Sequence, residues 1–418
     1  MASKDIICGL DIGSDNVRLA VGQKIGEEGE KLHIIGASET EADGITKGVI
    51  TSIEDAISSI TACIEKAERM TGLQIDSAWV GISGSHIISQ ESRGVIAVSK
   101  ANGEISSDDV ERVIEAARTV ATPPNYEILH VIPKSFIVDG QGGIKDPIGM
   151  TGIRLEVDTQ IIQGLSSQTK NLTKSVYRTG IEIEDVVLAI LATSEAVLSN
   201  RQKELGVIVA NIGGSTTSLV VFEEGDVMHT ANIPIGSEHI TSDIAIGLRI
   251  SIDAAEKIKL EYGSAQPKEI SKRDEIDVGE LNGTESTFIS RKYIAEIIEA
   301  RVEEIFEKVD AELKKIDRDG KLPAGIVLTG AGAKLTGLDE VAKRKLRLPA
   351  SIGYPLGVTS AVEKINDPAF VTAVGLVLWG SQLSEQQSSG IMGQLMSGLK
   401  SFNKVGTKFK NILRSIKK

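Results

Sequence analysis

The stretch GVIVANIGGSTTSLVVFEEGDV, residues 206–227, decides the fold. Two β-branched and aliphatic runs, 207–209 and 219–222, flank a segment that contains the adjacent glycines Gly213 and Gly214. Such runs form strands, and adjacent glycines permit a tight turn, so the stretch predicts a β-hairpin. Backbone N–H groups in this kind of turn can point at one anion, with the Ser215 and Thr216 hydroxyls as further donors. The stretch therefore predicts a phosphate-binding hairpin, although an ordinary glycine hairpin has the same pattern.

A second copy of the pattern, GLDIGSDNVRLAVG, occupies residues 9–22. Asp11 and Gly13 align with Asn211 and Gly213, 200 positions later and without a gap. Each copy reads as strand, glycine turn, strand. Two such hairpins far apart in one chain predict two similar halves that face each other across a cleft.

Composition narrows the class of protein. A chain of 418 residues is long enough for two to four domains, and 41% hydrophobic with 25% charged residues is ordinary for a globular protein. A net charge of −12 argues against nucleic acid as a general partner. The two cysteines, Cys8 and Cys63, cannot form a disulfide framework, which fits a reducing cytosol. We expect no signal peptide and no membrane-spanning segment.

Hydrophobic periodicity predicts how the halves are built. Strands fill residues 5–38, and a helix over 53–70 leads to a strand at 78–82, which indicates a mixed sheet. Residues 84–160 change character and predict a small α+β insertion, whose helix is capped by the stretch Ser106-Ser107-Asp108-Asp109, with Asp109 stabilising its first turn. A long helix is predicted over 290–315.

The C-terminal end differs from the rest in charge. Residues 368–380 predict an apolar helix and 381–390 a flexible polar linker. Residues 391–418 contain seven basic side chains and no acidic one, which leaves −19 on residues 1–390. Their apolar residues recur at helical spacing, which is typical of an amphipathic helix lying in the bilayer interface. The alternative is a helix that packs on the protein's own core or on a partner.

A third glycine turn, GIVLTGAGAKLTGL at 325–338, completes an ordered set. DIG (11–13), NIGGST (211–216) and LTGAGAKLTGL (328–338) resemble the phosphate-1, phosphate-2 and adenosine motifs of the actin, Hsp70 and sugar-kinase superfamily. Within the superfamily the chain resembles FtsA, the bacterial actin-like cell-division family. The segments that carry this narrower resemblance are GISGSHI (81–87), HVIPKSFIVDG (130–140), IKDPIGMTGIRLEV (144–157), SDIAIGL (242–248) and AAEKIKLEYG (254–263).

The resemblance covers nearly the whole chain and implies its architecture. We expect an α/β chain with an actin-like two-lobed fold (duplicated ribonuclease H-like domains), a small α+β inserted subdomain and a C-terminal amphipathic helix. The implied units are 1A (1–83 and 161–194, with 368–380 packing back), 1C (84–160), 2A (195–230 and 310–367), 2B (231–309), a linker (381–390) and a membrane-targeting helix (391–418).

The implied function is that of an ATP-binding protein that polymerises on the inner face of the cytoplasmic membrane and anchors the FtsZ ring at the division site. The expected cofactors are ATP and Mg²⁺. The expected partners are the C-terminal peptide of FtsZ, further copies of the chain, anionic lipid and, through 1C, other division proteins.

The motifs assign the nucleotide site. Its phosphate-binding residues are Gly13, Ser14, Asn16, Gly213, Gly214, Ser215 and Thr216. Asp11 is expected to act through Mg²⁺ or a positioned water. Glu256 and Lys259, three apart on one helix face, are placed by the resemblance at ribose and adenine, although a solvated helix pair has the same spacing. The adenosine motif contributes Gly330, Ala331, Gly332 and Ala333.

Two positions depart from the superfamily pattern. Asn211 stands where an acidic residue is usual, and Asn16 stands where a basic residue is common. A carboxamide can position a water but is no base at neutral pH, so we expect at most slow ATP hydrolysis.

The resemblance also suggests where partners bind. Arg291, Lys292, Ile297 and Arg301, near the start of the long helix, could hold an acidic and hydrophobic FtsZ peptide, or be a solvated charged face. In the tail, we expect lipid to contact Leu399, Phe402, Lys408, Phe409, Ile412, Leu413 and Arg414.

Three other functions share parts of the pattern. A sugar or acetate kinase needs a catalytic carboxylate, which Asn211 does not supply, and has no use for a lipid-binding tail. An Hsp70-like chaperone needs a further peptide-binding domain, for which too few residues follow the last helix of the second half. A PilM-like pilus-assembly platform shares the fold and an insertion but lacks a long basic terminal helix, so the tail discriminates against it.

Overall fold

In the computed structural model, the described residues are 6–25, 31–119, 122–279, 283 and 285–388. The tail, 391–418, and its seven predicted lipid contacts therefore lie outside the described residues. The strands, in chain order, are β1 (Ile6–Ile12), β2 (Asn16–Ile25), β3 (Lys31–Glu41), β4 (Ile45–Thr46), β5 (Val49–Ile50), β6 (Ser77–Ile82), β7 (Ile87–Ala97), β8 (Tyr126–Val138), β9 (Gln141–Ile144), β10 (Arg154–Leu165), β11 (Glu182–Leu188), β12 (Val207–Ile212), β13 (Thr217–Glu223), β14 (Asp226–Ile233), β15 (Glu275–Asp277), β16 (Phe288–Ser290), β17 (Ile326–Thr329), β18 (Ala350–Ile352) and β19 (Thr359–Ser360).

The α-helices are α1 (Ile53–Thr71), α2 (Ser107–Ala117), α3 (Ser166–Arg178), α4 (Ala189–Val197), α5 (Asn200–Leu205), α6 (Ser237–Leu248), α7 (Ile252–Tyr262), α8 (Arg291–Lys315), α9 (Leu338–Leu346) and α10 (Val371–Ser388). The predicted cap of α2 is present, since the Ser106 side chain and the Asp109 carboxylate form a capping box. No helix within the described ranges is long and apolar enough to cross a membrane.

The two main sheets share one topology. The first has the order β11-β6-β1-β2-β3-β19, and the second has the order β14-β13-β12-β17-β18. In each, three antiparallel strands (β1–β3 and β12–β14) are followed across the sheet by two strands parallel to the first of them. The repeat read from the sequence therefore extends from the hairpins to whole sheets, and the expectation of two similar halves is confirmed.

The inserted region forms its own sheet, in the order β7-β10-β8-β9, with α2 packed on one face. Its small core combines the apolar face of α2 with strand residues such as Val131, Leu155 and Ile161. The opposite face joins the core of the first half through Leu129, Ile132 and Ile162. Residues of β7, β8 and β10 also contact β14, so the insertion touches both halves.

Aliphatic residues fill the main cores, and only 3% of the chain is aromatic. In the second half, α8 buries a stripe that includes Ile294, Ile298, Val302 and Phe306 against the sheet. In the first half, α10 packs on β1 and β2 and α1 packs on β2 and β3. Cys8 and Cys63 are buried and free.

The predicted flexible linker at 381–390 is wrong for the part that is described, because α10 continues to Ser388. Leu383 is buried, which anchors the extra turns to the core. Lys24 on β2 donates from Nζ to the Ser381 carbonyl at 3.2 Å and to Ser384 Oγ at 3.0 Å. Tertiary contacts of this kind outweigh a polar composition that by itself suggests a linker.

Candidate functional site

The two glycine hairpins line opposite walls of one cleft. Both turns close with the same hydrogen bond, from Gly13 N to Asn16 O at 3.1 Å and from Gly213 N to Thr216 O at 2.9 Å. The space within the cleft is about 650 Å³ when the open solvent at its mouth is included. Eleven of the predicted nucleotide-site residues line it: Asp11, Gly13, Ser14, Asn16, Asn211, Gly213, Gly214, Ser215, Thr216, Gly330 and Ala331.

The hydroxyl groups at the two turns differ in their hydrogen-bond partners. Ser14 Oγ accepts from Gly48 N at 3.1 Å, which leaves its proton available to a ligand. Ser215 Oγ instead donates to Glu238 Oε2 at 2.6 Å. Asn16 is held between Arg18, which donates from Nη2 to its Oδ1 at 3.2 Å, and the Thr40 carbonyl. The Ser14 hydroxyl of the first hairpin is therefore free to donate to a ligand. The Ser215 hydroxyl of the second hairpin can donate to a ligand only when its hydrogen bond to Glu238 breaks.

Asp11 and Arg18 face each other across the β1–β2 pair at the floor of the cleft. Burial raises the pKa of Asp11 to about 6, and the Arg18 guanidinium opposes that rise. Arg18 also pairs with Glu39 at 2.5 Å and lies 5.8 Å from the centre of the Phe370 ring. Its buried Nε has no partner among the described residues. An unpartnered guanidinium N–H in the lining of the cleft is a donor that suits an anionic ligand.

Asn211 belongs to a chain of side-chain hydrogen bonds. Its Nδ2 donates to Thr372 Oγ1 at 2.9 Å, and Thr372 Oγ1 lies 2.9 Å from Thr193 Oγ1. Thr193 donates in turn to the Ala189 carbonyl at 2.8 Å. The chain connects β12 of the second half with α10 and α4. Asn211 is therefore a half-buried connector as well as a residue of the cleft wall.

Close packing at position 330 leaves no room for a side chain larger than that of glycine. The φ of Gly330 is +86°, and a Cβ there would lie 2.3 Å from Asn211 Oδ1 and 2.5 Å from the Ile212 carbonyl oxygen. The third motif thus packs directly against the end of β12. Gly332 and Ala333 are buried behind this contact and do not line the cleft.

A pair of carboxyl groups spans the cleft. Asp15, in the first hairpin, is hydrogen-bonded to Glu238, in the first turn of α6. Burial and that contact raise the pKa of Asp15 to about 8, whereas the hydrogen bond from Asp15 lowers the pKa of Glu238. Asp15 therefore donates its proton to the Glu238 carboxylate at neutral pH. The Asp15 oxygens lie 2.1 and 2.2 Å from where a Cβ on Gly214 would be.

Glu256 and Lys259 lie on α7 and face α6 rather than the cleft. Lys259 Nζ pairs with Glu256 at 2.7 Å and donates to Thr241 Oγ1 at 2.8 Å, while Thr241 donates to Glu256. The start of α6 is joined to the second hairpin, since Ser237 N and Glu238 N donate to the Gly213 and Gly214 carbonyls. The two residues brace the wall of the cleft, and their proposed adenine and ribose contacts stay a prediction.

The predicted partner-binding residues on α8 are largely engaged within the chain. Arg301 makes two hydrogen bonds to Asp243, at 2.5 and 2.8 Å, and also pairs with Glu304. Arg291 pairs with Asp274 at 3.2 Å and donates to the Tyr262 carbonyl. Ile297 is half-buried, and Lys292 is partly exposed. Their role toward FtsZ stays a prediction.

Sequence reasoning missed Asp15, Arg18, Glu238 and Thr372. Arg18 could have been found, because the repeat aligns it with Ser218, which also lines the cleft. Asp15 and Glu238 meet only through the tertiary fold, and Thr372 is 161 residues from Asn211.

Comparisons with known proteins agree with this geometry. A family profile described as Cell division protein FtsA matches residues 208–375, and one described as SHS2 domain inserted in FTSA matches 84–163. The chain is 39% identical to Cell division protein FtsA of Borreliella burgdorferi, covering 98% of each chain. It is 37% identical to that of Pseudomonas aeruginosa, covering 95% of this chain and 93% of the relative.

Solved structures establish the fold. A PilM-PilN type IV pilus biogenesis complex is similar with a TM-score of 0.66 at 16% identity, covering 90% of this chain and 98% of that chain. MreB5 of Spiroplasma citri bound to ADP is similar with a TM-score of 0.55 at 14% identity, covering 93% and 100%. The actin-like α/β fold predicted from the sequence is confirmed.

Proposed function

Because the chain belongs to the FtsA family of bacterial cell-division proteins, we propose that it is an ATP-binding, filament-forming anchor of the division ring. In this proposal it lies on the inner face of the cytoplasmic membrane, bound through residues 391–418, and holds the C-terminal peptide of FtsZ. Subdomain 1C contacts other division proteins.

One observation carries the nucleotide part of the proposal. Two topologically equivalent glycine hairpins line one cleft from opposite sides, with Arg18 at its floor. Triphosphate is the class of ligand that such a double cradle suits, since successive N–H groups and a cation favour phosphate oxygens. The MreB5 neighbour, a protein of the same fold, was solved with ADP.

Mg²⁺ fits the donors present. It is commonly held by one or two carboxylates, waters and substrate phosphates, and Asp11 is the carboxyl at the cleft floor. When bound, the ion would supply charge neutralisation for the β and γ phosphates. Asp11 would hold it through water, and its raised pKa would fall as the cation replaced the proton. The Asn211 side chain donates a hydrogen bond to Thr372, which supports the expectation of slow ATP hydrolysis.

Membrane binding is proposed from the tail's composition. Its apolar residues at helical spacing would enter the bilayer interface, and each of the seven basic residues near anionic lipid would add about 1 kcal/mol.

Sedimentation with vesicles of phosphatidylglycerol and phosphatidylethanolamine tests the anchor. The full chain should pellet with the vesicles, and a chain lacking residues 391–418 should stay in the supernatant. Replacing the seven basic residues by Gln is the matched control for charge, and should weaken binding less than deletion does because the apolar face stays. Undiminished pelleting of the truncated chain would rule out the anchor.

A further inference from the structure

A second cavity, which opens to solvent and measures about 820 Å³ with that open space included, lies where the inserted sheet, the first half and the second half meet. The inserted sheet contributes β8, the second half contributes β13 and β14, and the first half contributes α4 and the last turns of α10. Its wall is mainly apolar: Ile132, Pro133, Leu191, Phe222, Val227, Trp379 and Leu383. None of these residues lines the nucleotide cleft. The cavity therefore has no part in the function proposed above.

The polar groups inside the cavity neutralise one another. Lys203 pairs with Glu195 at 2.6 Å, and its Nζ lies 5.2 Å from the centre of the Phe222 ring. Lys203 is buried, so this ion pair is part of the floor rather than a free recognition group. Inside the cavity, specificity for a ligand therefore depends on the fit of its apolar groups. At the rim, it depends on the charge of the ligand.

The rim is acidic. Asp226 lines the cavity and pairs with Lys145, while Glu204 and Glu224 are exposed beside it. Glu204 Oε1 lies 2.8 Å from where a Cβ on Gly225, another lining residue, would be. Within the described residues neither Glu204 nor Glu224 forms a side-chain ion pair. An apolar cavity with unpaired carboxylates at its edge suits a cationic amphipathic segment.

We propose that residues 391–418 of the same chain occupy this cavity when no membrane is present. The inference rests on the proposed function, because it gives the membrane-binding tail a second, intramolecular site. An apolar tail residue such as Leu399 or Phe402 enters the cavity, and the tail's basic residues face the acidic rim. Lipid and cavity then compete for the same apolar face.

The chain can make this connection. Trp379 and Leu383 line the cavity, and the last described residue of α10, Ser388, lies five residues after Leu383, about 7.5 Å along the helix. Ten further residues, 389–398, span up to about 33 Å when extended. Phe402 therefore reaches the cavity without any movement of α10. Tethering at this length gives an effective concentration on the order of millimolar, so a weak contact suffices.

Photo-cross-linking of the full chain tests the docking. Phe402→p-benzoyl-phenylalanine, irradiated at nanomolar concentration without lipid, should link within the same chain to peptides that contain residues 191–203, 222–227 or 379–383. Vesicles of phosphatidylglycerol should suppress these links. Links only between chains, or only to other surfaces, would overturn the proposal and assign the cavity to a different occupant.

Charge reversal at the rim tests the role of the acidic residues and leaves the lining of the cavity unchanged. Glu204→Lys with Glu224→Lys should lower the cross-link yield about fivefold, as expected from two exposed charges. Glu111→Lys with Glu184→Lys, two exposed carboxylates on other elements, should leave the yield unchanged. Equal yields in both variants would overturn the role of the rim.

The two proposals fail separately. Loss of vesicle binding on deletion of 391–418, without the intramolecular link, would keep the anchor and remove the docking. The link together with undiminished vesicle binding of the truncated chain would keep the docking and remove the anchor.

Discussion

The proton shared by Asp15 and Glu238 joins the two walls of the nucleotide cleft. Because the folded-state pKa of Asp15, about 8, is above the unfolded value of 3.8, the folded state retains a proton that the unfolded state releases. The stabilisation from this proton is complete below about pH 4 and is lost as the pH rises through 8. The Asp15–Glu238 contact therefore stabilises the folded chain less in alkaline solution.

Asp15→Asn should remove this pH dependence, since a carboxamide donates to Glu238 at every pH. Between pH 6 and 8 the parent should lose about 1–2 kcal/mol more of its free energy of unfolding than the variant does. Urea denaturation at several pH values measures the difference. Glu111→Gln, an exposed acid on α2, should keep the parent's slope, and an equal slope in Asp15→Asn would disprove the shared proton.

Asn211, Thr372 and Thr193 should be energetically coupled. Asn211→Ala and Thr372→Val each remove one partner of a partly buried hydrogen bond and should cost about 1–3 kcal/mol. The double variant should cost less than the sum, with a coupling energy of about 1 kcal/mol. Urea denaturation of the four proteins gives the cycle, and strict additivity would show that the side chains act independently.

The sequence revealed the residues of the cleft that belong to local motifs. Asp11, the glycines and the hydroxyl residues follow from a repeat that can be read by eye. The Asp15–Glu238 pair and the partner of Asn211 could not be read, since each contact joins segments far apart in the chain. Lys259 and Glu256 were correctly placed on one helix face. That this face packs against α6 could not be predicted, because the contact depends on the tertiary fold.

At the level of elements, the second hairpin depends on Gly214. Gly214→Val should abolish ATP binding, because its side chain would collide with Asp15 and fill the space over the turn. Isothermal titration with ATP and Mg²⁺ measures the loss, expected to exceed about 100-fold, or 2.7 kcal/mol.

Gly142→Ala is the matched control for this change. Gly142 lies on β9 in the inserted sheet, and its Cβ would meet only Ile137 Cγ1, at an ordinary 3.8 Å. That variant should bind ATP like the parent. Retained affinity in Gly214→Val would place the nucleotide elsewhere.

The extent of α10 shows what local composition cannot predict. Residues 381–388 are rich in Ser and Gln, and Leu383 is the one apolar residue among them, so they show no hydrophobic periodicity. Their helix is stabilised by burial of Leu383 and by Lys24 from β2, a residue more than 350 positions earlier in the chain. The hairpins, in contrast, carry their own turn chemistry and were predicted with the correct turn residues.

At the scale of the whole molecule, duplication made the architecture predictable. Once two copies of the hairpin are recognised, two equivalent sheets and a cleft between them follow. The insertion's position was indicated by its change of character at residue 84, but its contact with β14 was not. That contact depends on the orientation of a whole sheet, which no short sequence pattern encodes.

Arg301 connects the fold to the proposed FtsZ contact. Arg301→Asp should weaken binding of an acidic FtsZ C-terminal peptide about tenfold, or 1.4 kcal/mol, measured by fluorescence anisotropy. The same change breaks the pair with Asp243, so it also disturbs how α6 packs on α8.

The charge-swapped variant, Arg301→Asp with Asp243→Arg, separates these effects because it restores the internal ion pair. Affinity that recovers fully would show that Arg301 acts through the fold, whereas affinity that stays low would assign it a direct contact. Parent-like binding by the single variant would remove Arg301 from the site altogether.

The helix α10 begins beside the cleft and continues to Ser388, the last described residue of the chain. Thr372, bonded to Asn211, is in its first turn, and Ser388 is about 24 Å further along the axis. If the tail binds the membrane as proposed, a pull on it would be transmitted as axial tension along one continuous helix. That tension would reach the hydrogen-bonded threonines, so mechanical load and the proposed nucleotide would act on the same few side chains.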